Sequence, residues 1–305
     1  MIIRLDKKLK YEDVYANGQE LAGIMGKDRV NGERVWTFPD TEEQFVYRFK
    51  NPVLLTNNYE IGKLPPTMRE TLHALFGSRP RIIEYDGVST IWDSRHVGVW
   101  CPSIDTILFA KALNQIAQKE NNFKRAIEIG CGSGFLSKYA LKKFPKLDHI
   151  LVNDINPAAI RSAQDNINDP RAGYYLGNGI DKLKDGKYDL VVANPPYVPR
   201  PGSIEDNPYE GVELLKYMVH NAKDFLTDNG ILVTNISSLS WDFVFPTSTP
   251  PNVEIMDRLE VPLKVNNILN NEKWVDYLMG SAKLKKQMKR GYEYWQEIII
   301  LKVSK

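Results

Sequence analysis

The tetrapeptide Asn194-Pro195-Pro196-Tyr197 carries the groups of this chain that are best suited to chemistry. It follows an apolar run that has the length of a buried parallel strand, and ligands of open α/β sheets bind where such strands end. Two prolines fix φ and remove two backbone donors, so the carbonyls of this corner accept hydrogen bonds without local competition. Asn194 adds a side-chain acceptor and Tyr197 an aromatic face. The tetrapeptide predicts a site that holds an –NH₂ group; the alternative is a structural Pro-rich turn.

A glycine loop lies about sixty residues earlier, directly after another apolar run. Gly130, Gly132 and Gly134 permit tight turns and the close approach of a ligand to the backbone. A dinucleotide-binding G-x-G-x-x-G loop would have its third glycine where this chain has Phe135. Glu128 stands two residues before the first glycine. The loop therefore predicts a ligand with an ammonium group and no pyrophosphate, and a nicotinamide-dependent dehydrogenase becomes the weakest interpretation.

A second predicted strand ends at Asp154, about twenty residues beyond the glycine loop. Rossmann-like sites place at this point the carboxylate that binds ribose hydroxyls. Strand, glycine loop, helix, strand and acid thus follow one another in an order and spacing that favour a nucleoside-containing ligand.

With these features the sequence resembles the class I S-adenosylmethionine-dependent methyltransferases, and within them the HemK-type glutamine methyltransferases that carry Asn-Pro-Pro-Tyr. The resemblance covers roughly residues 97–235. It includes the segment from Pro102 to Thr106, similar to the Pro-x-x-Asp-Thr of that family, the dipeptide Val198-Pro199, and residues 209–215, which approximate Gly-Gly-x-Asp-Gly-Leu. The sequence departs from the family at Glu210, at residues 235–237, and in an N-terminal part that is not all-helical, which leaves the acceptor open.

The resemblance implies that S-adenosylmethionine is the cofactor and assigns residues to three roles. Transfer to the acceptor nitrogen would take place at Asn194, Pro195, Pro196 and Tyr197. Acceptor binding would involve Pro102, Asp105, Thr106 and Tyr197, although Asp105 and Thr106 also suit a helix N-cap. The cofactor would be held by Glu128, Gly130, Cys131, Gly132, Gly134, Asp154, Ile155, Asn178, Gly179 and Asn194.

Composition and charge indicate an ordinary globular protein. With 305 residues, 43% of them hydrophobic and 26% charged, the chain can bury a large α/β core and an accessory region. A net charge of +2 gives no overall basic field for nucleic acid. Cys101 and Cys131 are too few for a disulfide framework and lack metal-ligand spacing, so we expect a reducing compartment and no metal. No run suits a signal peptide or a membrane span, which predicts a cytoplasmic protein without membrane contact.

From residue 104 onwards, helical and strand patterns alternate. This alternation predicts an α/β fold, a Rossmann-like, doubly wound and mostly parallel sheet of seven strands, over residues 97–305. The predicted helices are 104–118, 134–143, 157–165 and 210–226, and the predicted strands are 125–129, 149–153, 172–176, 188–193, 230–235, 254–259 and 295–301. A helical insertion is expected near 269–290, between the last two strands.

Residues 1–96 have the pattern of a small mixed α+β module that reads the substrate. The patterns predict helices at 11–25 and 64–77 and a hairpin at 82–92 that turns at Asp86-Gly87. This accessory module would precede the methyltransferase domain.

Three classes of function remain from the sequence. The first is a protein glutamine methyltransferase acting on a release factor or a ribosomal protein. The second is an RNA or DNA enzyme that methylates an exocyclic amine, such as N6 of adenine or N2 of guanine. The third is a non-catalytic cofactor-binding scaffold, which would not need the paired acceptors at Asn194. A basic stretch, composed of Lys283, Lys285, Lys286, Lys289 and Arg290, indicates either an RNA-facing patch or the solvated face of a helix.

Overall fold

The fold is that of a computed structural model, which describes residues 33–37, 44–49, 81–92, 96, 98–202, 210–263, 266–269, 271–289 and 292–305. It contains a small antiparallel sheet and a larger mixed sheet. The predicted helices at 11–25 and 64–77 lie outside the described residues, as do Tyr209 and Arg290.

The small sheet is antiparallel, with its strands in chain order. Its strands are β1 (Glu33–Thr37), β2 (Gln44–Phe49), β3 (Arg81–Tyr85) and β4 (Val88–Trp92). Strands β3 and β4 form the predicted hairpin. Asp86 and Gly87 have φ of 48° and 67°, as a tight turn between twisted antiparallel strands requires.

The large sheet has the predicted doubly wound topology, in the order β10-β12-β9-β8-β5-β6-β7. Strands β5 to β9 are parallel to one another, and β12 is antiparallel to both β9 and β10. The strands are β5 (Arg125–Ile129), β6 (His149–Asp154), β7 (Ala172–Leu176), β8 (Tyr188–Ala193), β9 (Leu226–Ser237), β10 (Val253–Pro262), β11 (Lys285–Lys289) and β12 (Tyr292–Ser304).

Nine helices connect or flank the strands in the described part of the chain. They are α1 (Ile104–Lys119), α2 (Phe135–Lys143), α3 (Pro157–Asn166), α4 (Gly179–Asp185), α5 (Glu213–His220), α6 (Ala222–Phe225), α7 (Trp241–Val244), α8 (Asn266–Leu269) and α9 (Glu272–Ser281). Apolar side chains from both faces of the sheet are buried against these helices. Neighbouring residues of β5, for example, alternate between the two cores: Ala126 belongs to one and Ile127 to the other.

Three sequence expectations were wrong in detail. The stretch 269–290 is not one helix: α9 ends in a Schellman-type cap, with Lys283 at a φ of 55° and the Leu284 N–H bonded to the Leu278 carbonyl at 3.0 Å. The chain then forms β11, which pairs with β12 and adds an eighth strand. Helix α4 was missed, and the helix expected at 210–226 is divided into α5 and α6.

Asn166, at the end of α3, connects the small sheet to the glycine loop. Its Oδ1 accepts the Ile91 N–H at 2.7 Å, and its Nδ2 lies 2.9 Å from the Ile91 carbonyl oxygen and 3.0 Å from that of Ser133. The side chain thereby provides hydrogen-bond partners for the backbone of Ile91 at the edge of β4 and for the Ser133 carbonyl in the glycine loop. Ile83, Tyr85, Val88 and Trp92 of the hairpin are buried in the same core as α2. The division of the chain at residue 96 stays a prediction.

We expect Asn166→Ala to destabilise the protein by about 2–3 kcal/mol, because it leaves buried backbone groups without partners. Urea unfolding of the variant and the parent measures this difference. Asn168→Ala is the matched control, since Asn168 is exposed two residues away. Equal midpoints for Asn166→Ala and Asn168→Ala would contradict the role assigned to Asn166.

Candidate active site

A cavity of about 680 Å³ lies at the carboxyl end of the parallel strands. Its position follows from the strand order. The chain adds β6 and β7 on one side of β5 and then β8 and β9 on the other, so the helices on either side of this reversal leave a crevice at the ends of β5 and β8. Gly130 follows β5, Asn194 follows β8, and both residues line the cavity.

The structure brings nearly all the predicted site residues together. Those lining the cavity are Pro102, Asp105, Thr106, Glu128, Gly130, Cys131, Gly132, Asp154, Ile155, Asn178, Gly179, Asn194, Pro195, Pro196 and Tyr197. The exception is Gly134, which does not line the cavity. A Cβ on Gly134 would lie 2.9 Å from Ile167 and 3.0 Å from Ala163, so this position has no room for a side chain where the loop packs on α3. Contact of Gly134 with the cofactor stays a prediction.

The first two glycines shape the cavity wall. Gly130 has a φ of 73°, and a Cβ there would meet no atom within 4 Å, because it would project into open space. Gly132 has a φ of 52° and donates its N–H to Asp154. Both conformations favour glycine, and the space left at Gly130 admits a ligand against the backbone. The Cys131 thiol is buried, and burial raises its pKa well above the usual range, which disfavours the thiolate form.

Glu128 is a buried carboxyl group that lines the cavity with a 2% exposed side chain. Its Oε2 accepts the Ser137 N–H at 2.8 Å and also the Ser137 hydroxyl. Its Oε1 makes no hydrogen bond in the described part of the chain. Burial raises the pKa of Glu128 to about 8, despite the two bonds from Ser137. A cationic group in the cavity would lower that pKa and form the missing bond.

Asp154 is held by the backbone on both of its oxygens. Oδ2 accepts the Gly132 N–H at 3.1 Å and Oδ1 accepts the Asn156 N–H at 2.9 Å. The Ile155 N–H also contributes to holding the carboxylate, which leaves acceptor capacity for a ligand hydroxyl because a carboxylate has about four lone-pair sites. Burial raises the pKa of Asp154 as well. The residue is therefore oriented in advance for the hydroxyl binding that its position predicts.

Two further groups near Asp154 suit a flat, apolar ring with polar edges. The side chain of Ile155 is 45% exposed and borders the cavity. Asn178 caps α4 by accepting the Ile180 N–H at 3.1 Å through Oδ1, which leaves its two N–H donors. Asn153, which sequence reasoning missed, positions this loop: its Nδ2 donates to the carbonyls of Tyr175 at 3.0 Å and Gly177 at 2.8 Å.

Asn194 is oriented by the start of α1. Its Nδ2 donates to Asp105 Oδ2 at 3.2 Å and lies 3.5 Å from Thr106 Oγ1. Asp105 is itself held by the Ser103 hydroxyl, and Thr106 Oγ1 accepts the Ser103 N–H at 3.3 Å. Asp105 and Thr106 thus stabilise the helix start and also line the cavity, while their contact with the acceptor stays a prediction. Because its nitrogen is bound to Asp105, Asn194 presents Oδ1 as the free acceptor.

The wall facing the Asn-Pro-Pro-Tyr corner comes from the end of the chain, and no sequence signal pointed to it. Trp274 of α9 donates its Nε1–H to the Pro199 carbonyl at 2.8 Å. The Arg200 guanidinium lies 5.7 Å from the ring centre of Trp274 and pairs with Glu210 at 3.0 Å. Helix α9 therefore fixes the loop that follows Tyr197.

Two lysines of the basic stretch are paired with acidic side chains. The Lys283 ammonium pairs with Asp242, and that of Lys286 pairs with Glu293 at 2.9 Å and lies 5.7 Å from the Tyr294 ring centre. Lys285, Lys286 and Lys289 lie on β11 and not on a helix. Within the described ranges, no helix is long and apolar enough to cross a bilayer, and no cluster of three or more His, Cys, Asp or Glu is placed to bind a metal.

The pKa of Glu128 predicts how stability depends on pH in the ligand-free protein. It is about 8 when folded, against an ordinary value of 4.5, so the folded state binds more protons than the unfolded state over that interval. The contribution of Glu128 is fully present below about pH 4.5 and is lost as the pH rises through about 8. Glu128→Gln removes this loss, and we expect the variant to gain stability over the parent as the pH increases. Urea unfolding at several pH values tests this; a difference independent of pH would refute it.

Comparison with known proteins agrees with this geometry. Residues 96–239 match the family model of the methyltransferase small domain. A putative protein N5-glutamine methyltransferase of Methanocaldococcus jannaschii is 28% identical over 62% of this chain and 98% of its own length. The release factor glutamine methyltransferase of Aquifex aeolicus is 29% identical over 46% of this chain, which spans 55% of that relative. The crystal structure of a ribosomal protein L11 methylase from Lactobacillus delbrueckii subsp. bulgaricus superposes with a TM-score of 0.38 at 16% identity, covering 67% of this chain and 81% of that one.

The matched segment contains the glycine loop, Asp154 and the Asn-Pro-Pro-Tyr corner, all of which line one cavity. Residues 96–239 are thus similar to a methyltransferase small domain, and the chain is an S-adenosylmethionine-dependent methyltransferase.

Proposed function

We propose that this enzyme methylates the –NH₂ nitrogen of a planar amide, and that the amide is a glutamine side chain of a protein. The observation that carries the proposal is the orientation of Asn194. Its nitrogen is bound to Asp105, so its oxygen is directed away from that carboxylate and is available to an N–H donor. The Pro195 carbonyl, which also borders the cavity, supplies a second acceptor beside it.

The cavity fits the cofactor on grounds of chemistry. When bound, S-adenosylmethionine supplies an electrophilic methyl group. Glu128 has a carboxylate oxygen free for an ammonium, and Asp154 retains acceptor capacity for a ribose hydroxyl. Ile155 and the donors of Asn178 suit a heteroaromatic ring. These residues would bind the cofactor at the ends of β5 and β6, beside the acceptor corner.

The acceptors on Asn194 and Pro195 can compensate for the weak nucleophilicity of an amide nitrogen. The lone pair of such a nitrogen is delocalised into the carbonyl group. If Asn194 Oδ1 and the Pro195 oxygen each accept one N–H, the nitrogen is held in a fixed orientation with its lone pair directed away from both acceptors. No strong base is then needed. Positioning of reactants in this way is worth up to about 7–11 kcal/mol of the barrier.

Two lines of support favour protein over nucleic acid as the acceptor. The curated relatives described above are named as glutamine methyltransferases acting on proteins, one of them on a release factor. In addition, Lys283 and Lys286 are already paired with acidic side chains, which weakens the case for a phosphate-binding patch. We therefore propose a protein of the translation apparatus, such as a release factor or a ribosomal protein, as the partner, and the cytoplasm as the location. Residues 1–96 are proposed to help recognise it.

A nucleic-acid amine remains the alternative because Tyr197 also suits a stacked base. Such an enzyme would neutralise several phosphates and lose binding steeply as salt rises. Transfer of labelled methyl groups into a cell extract separates protein from nucleic-acid acceptors directly.

Asp105→Ala tests the orientation of Asn194. Without the carboxylate the Asn194 amide is free to rotate, and we expect kcat to fall about 10²-fold, as misplacement of a reacting group typically causes. Cofactor affinity, measured by calorimetry, should stay unchanged. Asp224→Ala is the matched control, because Asp224 also lies in the first turn of a helix, α6, but outside the cavity wall. A normal kcat for Asp105→Ala would show that Asn194 needs no such support.

The acceptor class is tested by transfer of labelled methyl groups from S-adenosylmethionine into a cell extract. We expect the label in material that protease digests and nuclease does not, and recovery of N5-methylglutamine from its peptides by mass spectrometry. Asn194→Ala should abolish this labelling while retaining cofactor binding. Label that disappears on ribonuclease or deoxyribonuclease treatment would instead establish the nucleic-acid alternative.

A further inference from the structure

The acceptor half of the cavity is apolar and is built from residues beyond the methyltransferase small domain. We define it by Val261, Ile268, Trp274 and Ile298, together with Gln296. The four apolar side chains are at most 5% exposed. In such surroundings a polar atom of the acceptor that finds no hydrogen-bond partner loses its solvation without compensation. The few polar groups of this wall should therefore match the polar atoms of the acceptor.

Gln296 supplies such a group. Its side chain is 6% exposed and borders the cavity. Its Oε1 accepts the Ser237 hydroxyl at 2.6 Å, while Ser237 Oγ accepts the Leu239 N–H at 3.0 Å. The single hydroxyl proton of Ser237 is thus directed to Gln296, which fixes the orientation of the amide. Its Nε2 makes no hydrogen bond within the described part of the chain, and it is left to face the cavity.

We propose that Gln296 donates its Nε2–H to the carbonyl oxygen of the acceptor amide, and that this makes the acceptor half selective for a primary carboxamide. This inference rests on the proposed function and deepens it. A carboxamide presents two N–H donors and one carbonyl acceptor. Asn194 and Pro195 provide acceptors for the N–H groups, and Gln296 provides the donor for the carbonyl. The three protein groups together complement the whole –CONH₂ unit.

The same arrangement disfavours other nitrogen nucleophiles. An alkyl amine has no carbonyl, so Nε2 of Gln296 would remain buried and unpaired when such an amine filled the cavity. A charged ammonium would in addition have to enter the apolar wall around Trp274 and Ile268. Discrimination arises from the protein groups that a wrong acceptor leaves unsatisfied, which is generally more effective than a difference in size.

The test uses N-acetylglutamine methylamide as the acceptor, with labelled S-adenosylmethionine at saturating concentration. Gln296→Met keeps the volume and removes the donor. We expect kcat/KM for this probe to fall about tenfold, the typical effect of one lost hydrogen bond, with cofactor affinity unchanged in calorimetry. Gln287→Met is the matched control, because Gln287 is exposed on β11 and should leave kcat/KM unaltered.

Gln296→Glu separates the donor from the packing. Its carboxyl group still accepts the Ser237 hydroxyl, but it can donate only when protonated. We expect its kcat/KM, expressed relative to the parent at each pH, to rise as the pH falls, whereas the ratio for Gln296→Met stays constant. A purely structural role for Gln296 would not produce this pH profile.

The outcomes distinguish this inference from the proposed function. If the parent methylates the probe and both Gln296 variants retain kcat/KM within about twofold, the donor role of Gln296 is wrong and the proposed function stands. If the parent transfers no methyl to the probe and labels only nuclease-sensitive material from the extract, the proposed function fails and this inference fails with it.

Discussion

The hydrogen bond from Asn194 Nδ2 to Asp105 Oδ2 is the interaction on which the rest of the site depends. It joins residues 89 positions apart in the chain, one following β8 and the other in the first turn of α1. It can form only because β8 lies in the middle of the sheet and α1 begins above its carboxyl end. The strand order therefore decides which amide atom of Asn194 meets the acceptor, and the Ser103 contacts at the start of α1 keep that choice fixed.

The site also holds two carboxyl groups in surroundings that oppose their charge. Burial raises the pKa of both Glu128 and Asp154, although backbone and hydroxyl donors partly stabilise the charged forms. In a folded protein this is a destabilising arrangement, and it is offset only when a ligand brings an ammonium and hydroxyl donors. If Glu128 and Asp154 bind the cofactor as proposed, its binding and the stabilisation of the fold are coupled through the same two residues. The burial that costs stability also strengthens each interaction with the ligand.

The strands of the parallel sheet could be predicted from the sequence, whereas several residues that shape the cavity could not. Strands β5, β7 and β8 lie where predicted, because buried parallel strands are short apolar runs between turn residues. The close packing of Gly134 on α3 was not foreseen, since a glycine that admits a ligand and one that admits a neighbouring helix look alike in sequence. Asn153 and Gln296 carried no signal, because each acts through partners more than twenty residues away. Long-range pairing of this kind cannot be inferred from local pattern.

The two halves of the cavity differ in origin, and this difference bears on specificity. The cofactor half lies within residues 96–239, whereas Val261, Ile268, Trp274 and Gln296 come from the chain beyond it. The halves are joined where Trp274 binds the Pro199 carbonyl and packs on Arg200. A change in α9 would therefore alter the acceptor wall and the corner after Tyr197 together. Such a connection allows the acceptor wall to vary while the ends of β5 and β6 remain unchanged, since none of the residues proposed to bind the cofactor belongs to α9.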